Sequence, residues 1–224
     1  LLIDSLLFSK HIPYSQCKEL IEKIEGLSNK YFRNKVKHIR NLPENMPQNK
    51  ELFYTIEVLD EAISKCKKVE FQYNDFGTDK KLHPRVSGSG EPRKYVVNPY
   101  QMVATNGRYY LIANYDKYAN ISHYRVDKIY EIKVLDEPVK KQKELSECIN
   151  LPKHMAEHIY MFSGESERVT MCLDKFLVND VIDWFGKDVS FYDETEDSVT
   201  ASVVVNLQAM RYWAMQYANH VEVL

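Results

Sequence analysis

The dipeptide Asn106-Gly107 separates two β-rich runs, "KYVVNPYQMVAT" and "RYYLIANY". Asn-Gly readily supplies the two positive φ values of a type I′ turn, whose twist matches that of the strands it joins. An antiparallel hairpin is therefore expected here, and it sets the frame for the segments on either side. Upstream, "KVEFQYND" alternates Val69, Phe71 and Tyr73 against polar partners, which is the period of a strand. "FGTDKKLHPRV" turns and returns, and "SGSGEPR" is a flexible loop. Pro99 donates no ladder hydrogen bond, so its strand is predicted to lie at an edge or to bulge there. With "ISHYRVDKIYEIKVL" downstream the run comprises about five short strands, the pattern of a small barrel or curled sheet.

Helical segments flank this block. Leu2, Ile3, Leu6 and Leu7 recur at helical spacing. Ser15 is expected to cap a second helix, "SQCKELIEKIEGL", supported by Glu19 and Lys23 one turn apart. The strongly basic "NKYFRNKVKHIR" follows, with Lys30, Arg33, Lys35, Lys37, His38 and Arg40 as candidate phosphate contacts. Its bland alternative is a solvated helix face. "NLPENMPQNK" carries two prolines and is expected to be a linker. "LFYTIEVLDEAISKC" begins a third helix.

Beyond residue 140 a polar linker with short helices leads to a tail. Its pieces read strand, helix, strand, strand, helix, strand: "ERVTMCLD", "FLVNDVIDWFG", "DVSFYDE", "SVTASVVVN", "LQAMRYWAMQYAN" and "VEVL". That order is the ferredoxin-like split βαβ pattern. The fold class expected is α+β. A helical connector occupies 1–50, a β-barrel with its leading helix 51–140, a linker 141–160, and a ferredoxin-like extension 161–224. The extension's last strand is expected to continue past the sequence given.

Charge and cysteine usage exclude several classes. The formal net charge of the 224 residues is -2, so no global positive field draws the chain to nucleic acid and any such contact rests on a local patch. No apolar run reaches membrane-spanning length. The opening "LLIDSLLFSK" lacks the basic stretch and cleavage site of a signal peptide. Cys17, Cys66, Cys148 and Cys172 form no CxxC pair. These features point to a reducing compartment and a cytoplasmic protein without a membrane partner.

The densest chemistry is in "ISHYRVDKI". Strand alternation puts His123, Arg125 and Asp127 on one face. The partner strand offers Tyr109 on one face and Tyr110 on the other. A guanidinium and an imidazole beside tyrosines suit an anion, or a nucleobase carrying phosphate, because Arg binds phosphate bidentately and aromatic rings stack on bases. The bland alternative is an Arg125–Asp127 pair with the tyrosines sealing the sheet. Arg85, Arg93 and Lys94 around the glycine loop extend a positive rim. "HMAEH", His154 to His158, matches a helical zinc pattern with Glu157 as base, but it lacks a third protein ligand in the tail. No catalytic triad or carboxylate pair is identifiable, so no catalytic residue, metal or cofactor is assigned.

"NPYQMVATNGRYYLIANYD" followed by "HYRVDKI" resembles the WYL domain, named for a Trp-Tyr-Leu triplet that here reads Tyr109-Tyr110-Leu111. "NPY" looks like that family's P-Y strand and "YRVDKI" like its Arg-x-Asp strand. The tail looks like the extension that often follows the domain. The leading helices look like the connector from a winged helix-turn-helix in bacterial transcriptional regulators. The resemblance implies an SH3/Sm-like barrel that senses a nucleic-acid or nucleotide-like effector with Arg125, His123, Tyr110, Tyr100 and Tyr73. It also implies operator DNA bound by a domain outside this chain, and a homodimer. A ligand-free dimerisation module and, further off, a zinc hydrolase through "HMAEH" are the competing readings.

Overall fold

The computed structural model describes residues 2–10, 12–27, 49–118, 120–140 and 150–224. The basic run at 30–40, most of the Pro-rich stretch before the third helix, and Cys148 lie outside the described residues. The chain is mixed helix and antiparallel sheet and divides into two compact units. The first holds Leu1–Lys117 and Tyr124–Lys140, the second Tyr118–His123 and Lys141–Leu224. No helix among the described residues is long and apolar enough to cross a membrane.

The first unit begins with α1 (Leu2–Phe8) and α2 (Tyr14–Gly26), which bury Ile3, Cys17 and Ile21 against one another. Ser15 is not the cap of α2. The helix starts one residue earlier, Pro13 occupies the N-cap, and no side chain caps it. The Glu19–Lys23 pair forms as expected, at 2.6 Å. Helix α3 (Leu52–Ser64) buries Leu52, Thr55, Leu59 and Ala62. Their 3-4-3 spacing puts all four on one face, which lies on the sheet. Asn49 pins its start: Oδ1 accepts from the Glu51 N–H at 2.8 Å, and Nδ2 donates to the Ile129 carbonyl at 3.1 Å.

The sheet has six strands: β1 (Lys67–Phe76), β2 (Leu82–Pro84), β3 (Lys94–Thr105), β4 (Arg108–Asn114), β5 (Ser122–Arg125, of which Tyr124 and Arg125 belong to this unit) and β6 (Ile129–Pro138). Hydrogen-bonded neighbours run β2-β1-β3-β4-β5, and β6 pairs the other side of β1. The described pairings do not close this sheet into a barrel. The predicted hairpin is present, with Thr105 opposite Arg108 and Asn106 and Gly107 at φ 52° and 74°. Of the two options for Pro99, the bulge is realised: the register shifts between Pro99 and Gln101, and β3 is interior, between β1 and β4. Val69, Phe71 and Tyr73 point into an aromatic core. There Phe71 stacks on Tyr95 at 5.7 Å, and Tyr124 meets Phe71 and Tyr73 edge-on at 5.3 and 5.4 Å. Alternation fails on β4, where Leu111, Ile112, Ala113 and Asn114 are all buried because both faces of that strand end are covered.

The second unit contains α4 (Leu151–Glu157), then β7 (Ser166–Asp174), α5 (Val178–Phe185), β8 (Ser190–Tyr192), β9 (Ser198–Asn206), α6 (Leu207–Gln216) and β10 (Val221–Val223). The sheet order is β10-β7-β9-β8 and every pairing is antiparallel. Trp213 is fully buried, edge-on to Phe185 at 5.0 Å, in a core with Met171, Leu173 and Val181. Asn206 caps α6 by accepting from the Ala209 N–H at 3.1 Å. The acidic stretch 193–197 makes the turn between β8 and β9, closed by Thr195 N–H to the Ser198 carbonyl at 2.8 Å. A solvated turn suits those carboxylates because none has to be buried.

Candidate functional site

Strand β5 ends at Arg125 and the chain enters a 3-10 turn, Val126–Lys128. Asp127 therefore leaves the strand alternation and turns back on Arg125. Its carboxylate accepts from Arg125 Nε at 3.0 Å and from an Arg125 terminal nitrogen at 2.6 Å. Arg108, the first residue after the Asn-Gly turn, reaches the same carboxylate at 3.1 Å and also donates to the Lys10 carbonyl at 3.3 Å. Two guanidiniums thus share one carboxylate and leave an excess positive charge. The side chains of Arg125, Arg108 and Asp127 are 26%, 22% and 12% exposed, so the charge faces the surface from a partly dry setting.

The surroundings tune these groups. Burial, and then the charge of Arg125, pull the Arg108 guanidinium below its ordinary value. Burial acts the same way on Arg125, but its hydrogen bonds to Asp127 outweigh that and hold it above its ordinary value. Burial raises the Tyr110 phenol, and the charges of Arg125 and Arg108 pull it back. Tyr73 is a floor rather than a surface ring: it is 7% exposed, and its hydroxyl accepts the Arg125 backbone N–H at 3.1 Å. Burial pushes its phenol up to about 12.

The pattern repeats at Asp75. Asp75 accepts from Arg85 Nε at 2.5 Å and from Lys128 Nζ at 2.7 Å. The Arg85 guanidinium lies over the Tyr73 ring at 4.9 Å, and Arg93 lies over Tyr95 at 4.8 Å. Four cations therefore share two carboxylates, Arg125 and Arg108 on Asp127 and Arg85 and Lys128 on Asp75. Of the rim expected from the sequence, Arg85 meets the Arg125 site through the Tyr73 ring, whereas Arg93 lies over Tyr95 and Lys94 is drawn to Glu70 at 3.4 Å.

The five residues singled out from the sequence do not all meet. Arg125, Tyr110 and Tyr73 do. Tyr100 belongs to a separate polar network, donating to Asn114 Oδ1 at 2.8 Å. In that network buried Asn98 also bonds Asn114 and Asp116, and Lys68 bridges Asp116 and Glu137 at 2.7 and 2.9 Å. His123 departs from the Arg125 face expected of it: its ring is among histidines of the second unit, with Nε2 2.8 Å from His154 Nε2. "HMAEH" lies on and just after α4 rather than in an irregular linker, and His158 is 6% exposed. Among the described residues no group of three or more His, Cys, Asp or Glu has the arrangement to hold a metal ion. Sequence reasoning missed Arg108, Lys128 and the sharing of Asp75. The signal available for Arg108 was its place directly after the turn, opposite the strand that carries Arg125.

Comparison with known proteins gives one family match. No curated protein matches the chain. A solved structure, proteasome accessory factor B/C (PafBC) of Arthrobacter aurescens, is similar at 14% identity and a TM-score of 0.35. The likeness covers 78% of this chain and 24% of that one, so the chain spans about a quarter of that protein's length. The model of the WYL domain matches residues 54–134, from helix α3 to within β6, and the chain carries a WYL domain over that span.

Proposed function

We propose that this chain is the sensing part of a transcriptional regulator, and that its WYL unit takes an anionic, nucleotide-like or single-stranded nucleic-acid effector. The observation that carries the reading is the Arg125–Asp127–Arg108 arrangement, where two guanidiniums share one carboxylate at 2.6 and 3.1 Å. Such a site can recruit a phosphate as the missing counter-charge, with Arg offering parallel N–H donors to it. Tyr110 lies beside both cations and is available for ring contact, while Tyr73 holds the Arg125 backbone from below. The acts proposed are binding and orientation, not bond-making, and Arg85 and Arg93 would extend the track for a longer strand.

In this reading effector binding biases a two-state arrangement of the whole regulator, including a DNA-binding head and a partner copy outside this chain. The strand order β10-β7-β9-β8 supports reading the second unit as a ferredoxin-like extension. The six-stranded sheet with α3 across it supports an SH3-like ancestry for the first.

A thermal-shift screen tests the site. The chain is heated with mononucleotides, cyclic nucleotides and short single-stranded DNA and RNA, beside Arg125→Ala. A compound that raises the melting temperature of the parent and not of the variant supports the reading. Equal shifts in both proteins would remove Arg125 from the site, and no shift in either would favour a ligand-free module.

A further inference from the structure

Three histidines meet inside the second unit. The ring centroids of His154 and His158 are 4.1 Å apart, and His123 lies 5.1 and 5.3 Å from them. His123 Nε2 and His154 Nε2 are 2.8 Å apart, which is a hydrogen bond only while one nitrogen carries hydrogen and the other a lone pair. His123 Nδ1 is buried without a hydrogen-bond partner of ordinary geometry. His158 directs Nδ1 to the His154 carbonyl at 3.0 Å and Nε2 to the Gly164 carbonyl at 3.3 Å. The His123 backbone N–H adds a bond to Ser163 Oγ at 3.3 Å.

We propose that this cluster is a proton-operated latch: with His123 and His154 neutral, one shared hydrogen bond holds segment 120–123 to helix α4, and protonation of both rings leaves neither facing nitrogen a lone pair, breaks that bond and releases the segment.

The groups around the cluster fit such a device. Segments 120–123 and 159–164 contain no acidic or basic side chain other than His123 itself. On α4 the charged side chains are Lys153 and Glu157, which face each other at 3.8 Å. The charges acting on His123 are those of His154 and His158, and the charge acting on His154 is that of His158. A proton taken up here thus meets other imidazoles rather than a carboxylate. His220, elsewhere in the unit, has Asp174 at 2.6 Å and is the contrasting case. Burial first, then the neighbouring rings, push His123 down to about 3 and His154 to about 4.

The sign follows from linkage. Both folded values lie below the free value of about 6.5, so the stability these rings contribute is full above pH 6.5. It is lost as pH falls from there toward the folded values. Each ring that titrates freely once released multiplies the opening equilibrium by about ten between pH 7.5 and 5.5, and two rings by about a hundred. Strand β5 carries both His123 and Arg125, and the latch does not depend on the proposed effector site.

Hydrogen exchange of the full chain at pH 7.5 and 5.5, corrected for intrinsic rates, tests the latch. Peptides covering 120–123 and 151–158 are expected to lose about a hundredfold in protection, while β9 keeps its own. His123→Gln and His154→Gln should each reduce that loss to about tenfold. Unchanged protection in the parent peptides would overturn the proposal even if neither variant folds. So would an equal loss in β9, which would mark global unfolding.

Discussion

Replacing Asp127 by Asn tests the charge arrangement because it keeps the side chain's size and removes the one carboxylate that Arg125 and Arg108 share. Three charged hydrogen bonds end on it, at 2.6, 3.0 and 3.1 Å. Bonds to charged groups are worth about 1.5–3 kcal/mol each, but these are coupled and partly solvated. A loss of about 2–3 kcal/mol is expected for the first unit. Arg125→Ala should cost only about 1 kcal/mol, since Asp127 keeps Arg108 and no buried charge is orphaned. At this size 2–3 kcal/mol lowers a melting temperature by roughly 10 °C. Calorimetry is the suitable assay, because both tryptophans, Trp184 and Trp213, lie in the second unit and their fluorescence does not report on the first. Binding should move the opposite way: Asp127→Asn frees both guanidiniums and tightens an anionic ligand, whereas Arg125→Ala weakens it. If Asp127→Asn costs no more stability than Arg125→Ala, the shared carboxylate does not hold the site together.

Two further variants probe the supports of the WYL unit. Gly107→Ala forces an L residue to φ 74° and puts its Cβ 2.7 Å from the Phe8 carbonyl oxygen, so a loss of about 1–2 kcal/mol is expected by urea unfolding. Asn98→Ala removes donors to Asn114 and Asp116 and the acceptor for the Lys140 N–H, and should cost about 2–3 kcal/mol. Lys68, and then Asn98, hold the Asp116 carboxyl below its usual range. Its contribution is therefore full above about pH 4 and lost as pH falls through the folded value, and Asn98→Ala should flatten that acid limb.

What the sequence made legible was local. The hairpin at Asn106-Gly107 rests on φ values and the interruption at Pro99 on a missing donor, which neighbours cannot change; the choice between an edge and a bulge at Pro99 was made by the interior place of β3. The order of the six tail elements likewise follows from periods of two and 3.6. What escaped was set by tertiary context. Strand alternation grouped His123 with Arg125 and Asp127. The strand ends at Arg125, however, so Asp127 turns back, while His123 meets His154 and His158, distant in sequence. Tyr100 sits inside the Pro99/Gln101 register shift and joins the Asn114 network rather than the Arg125 site. Tyr73 was legible as a strand residue facing one side, but nothing local showed that its ring would be core and its hydroxyl a support for Arg125. Arg108 was hidden because a cation after a turn is ordinarily solvated.

Under the proposed function Arg125 and Arg108 receive a phosphate. Its most direct test is a fluorescence-polarisation titration of a labelled single-stranded oligonucleotide at several salt concentrations, with the parent chain and Arg125→Ala. Binding should weaken linearly in log salt, with a slope smaller by about 0.7 in the variant because one phosphate contact is gone. Binding whose affinity and salt slope are the same in both proteins would contradict the proposed function.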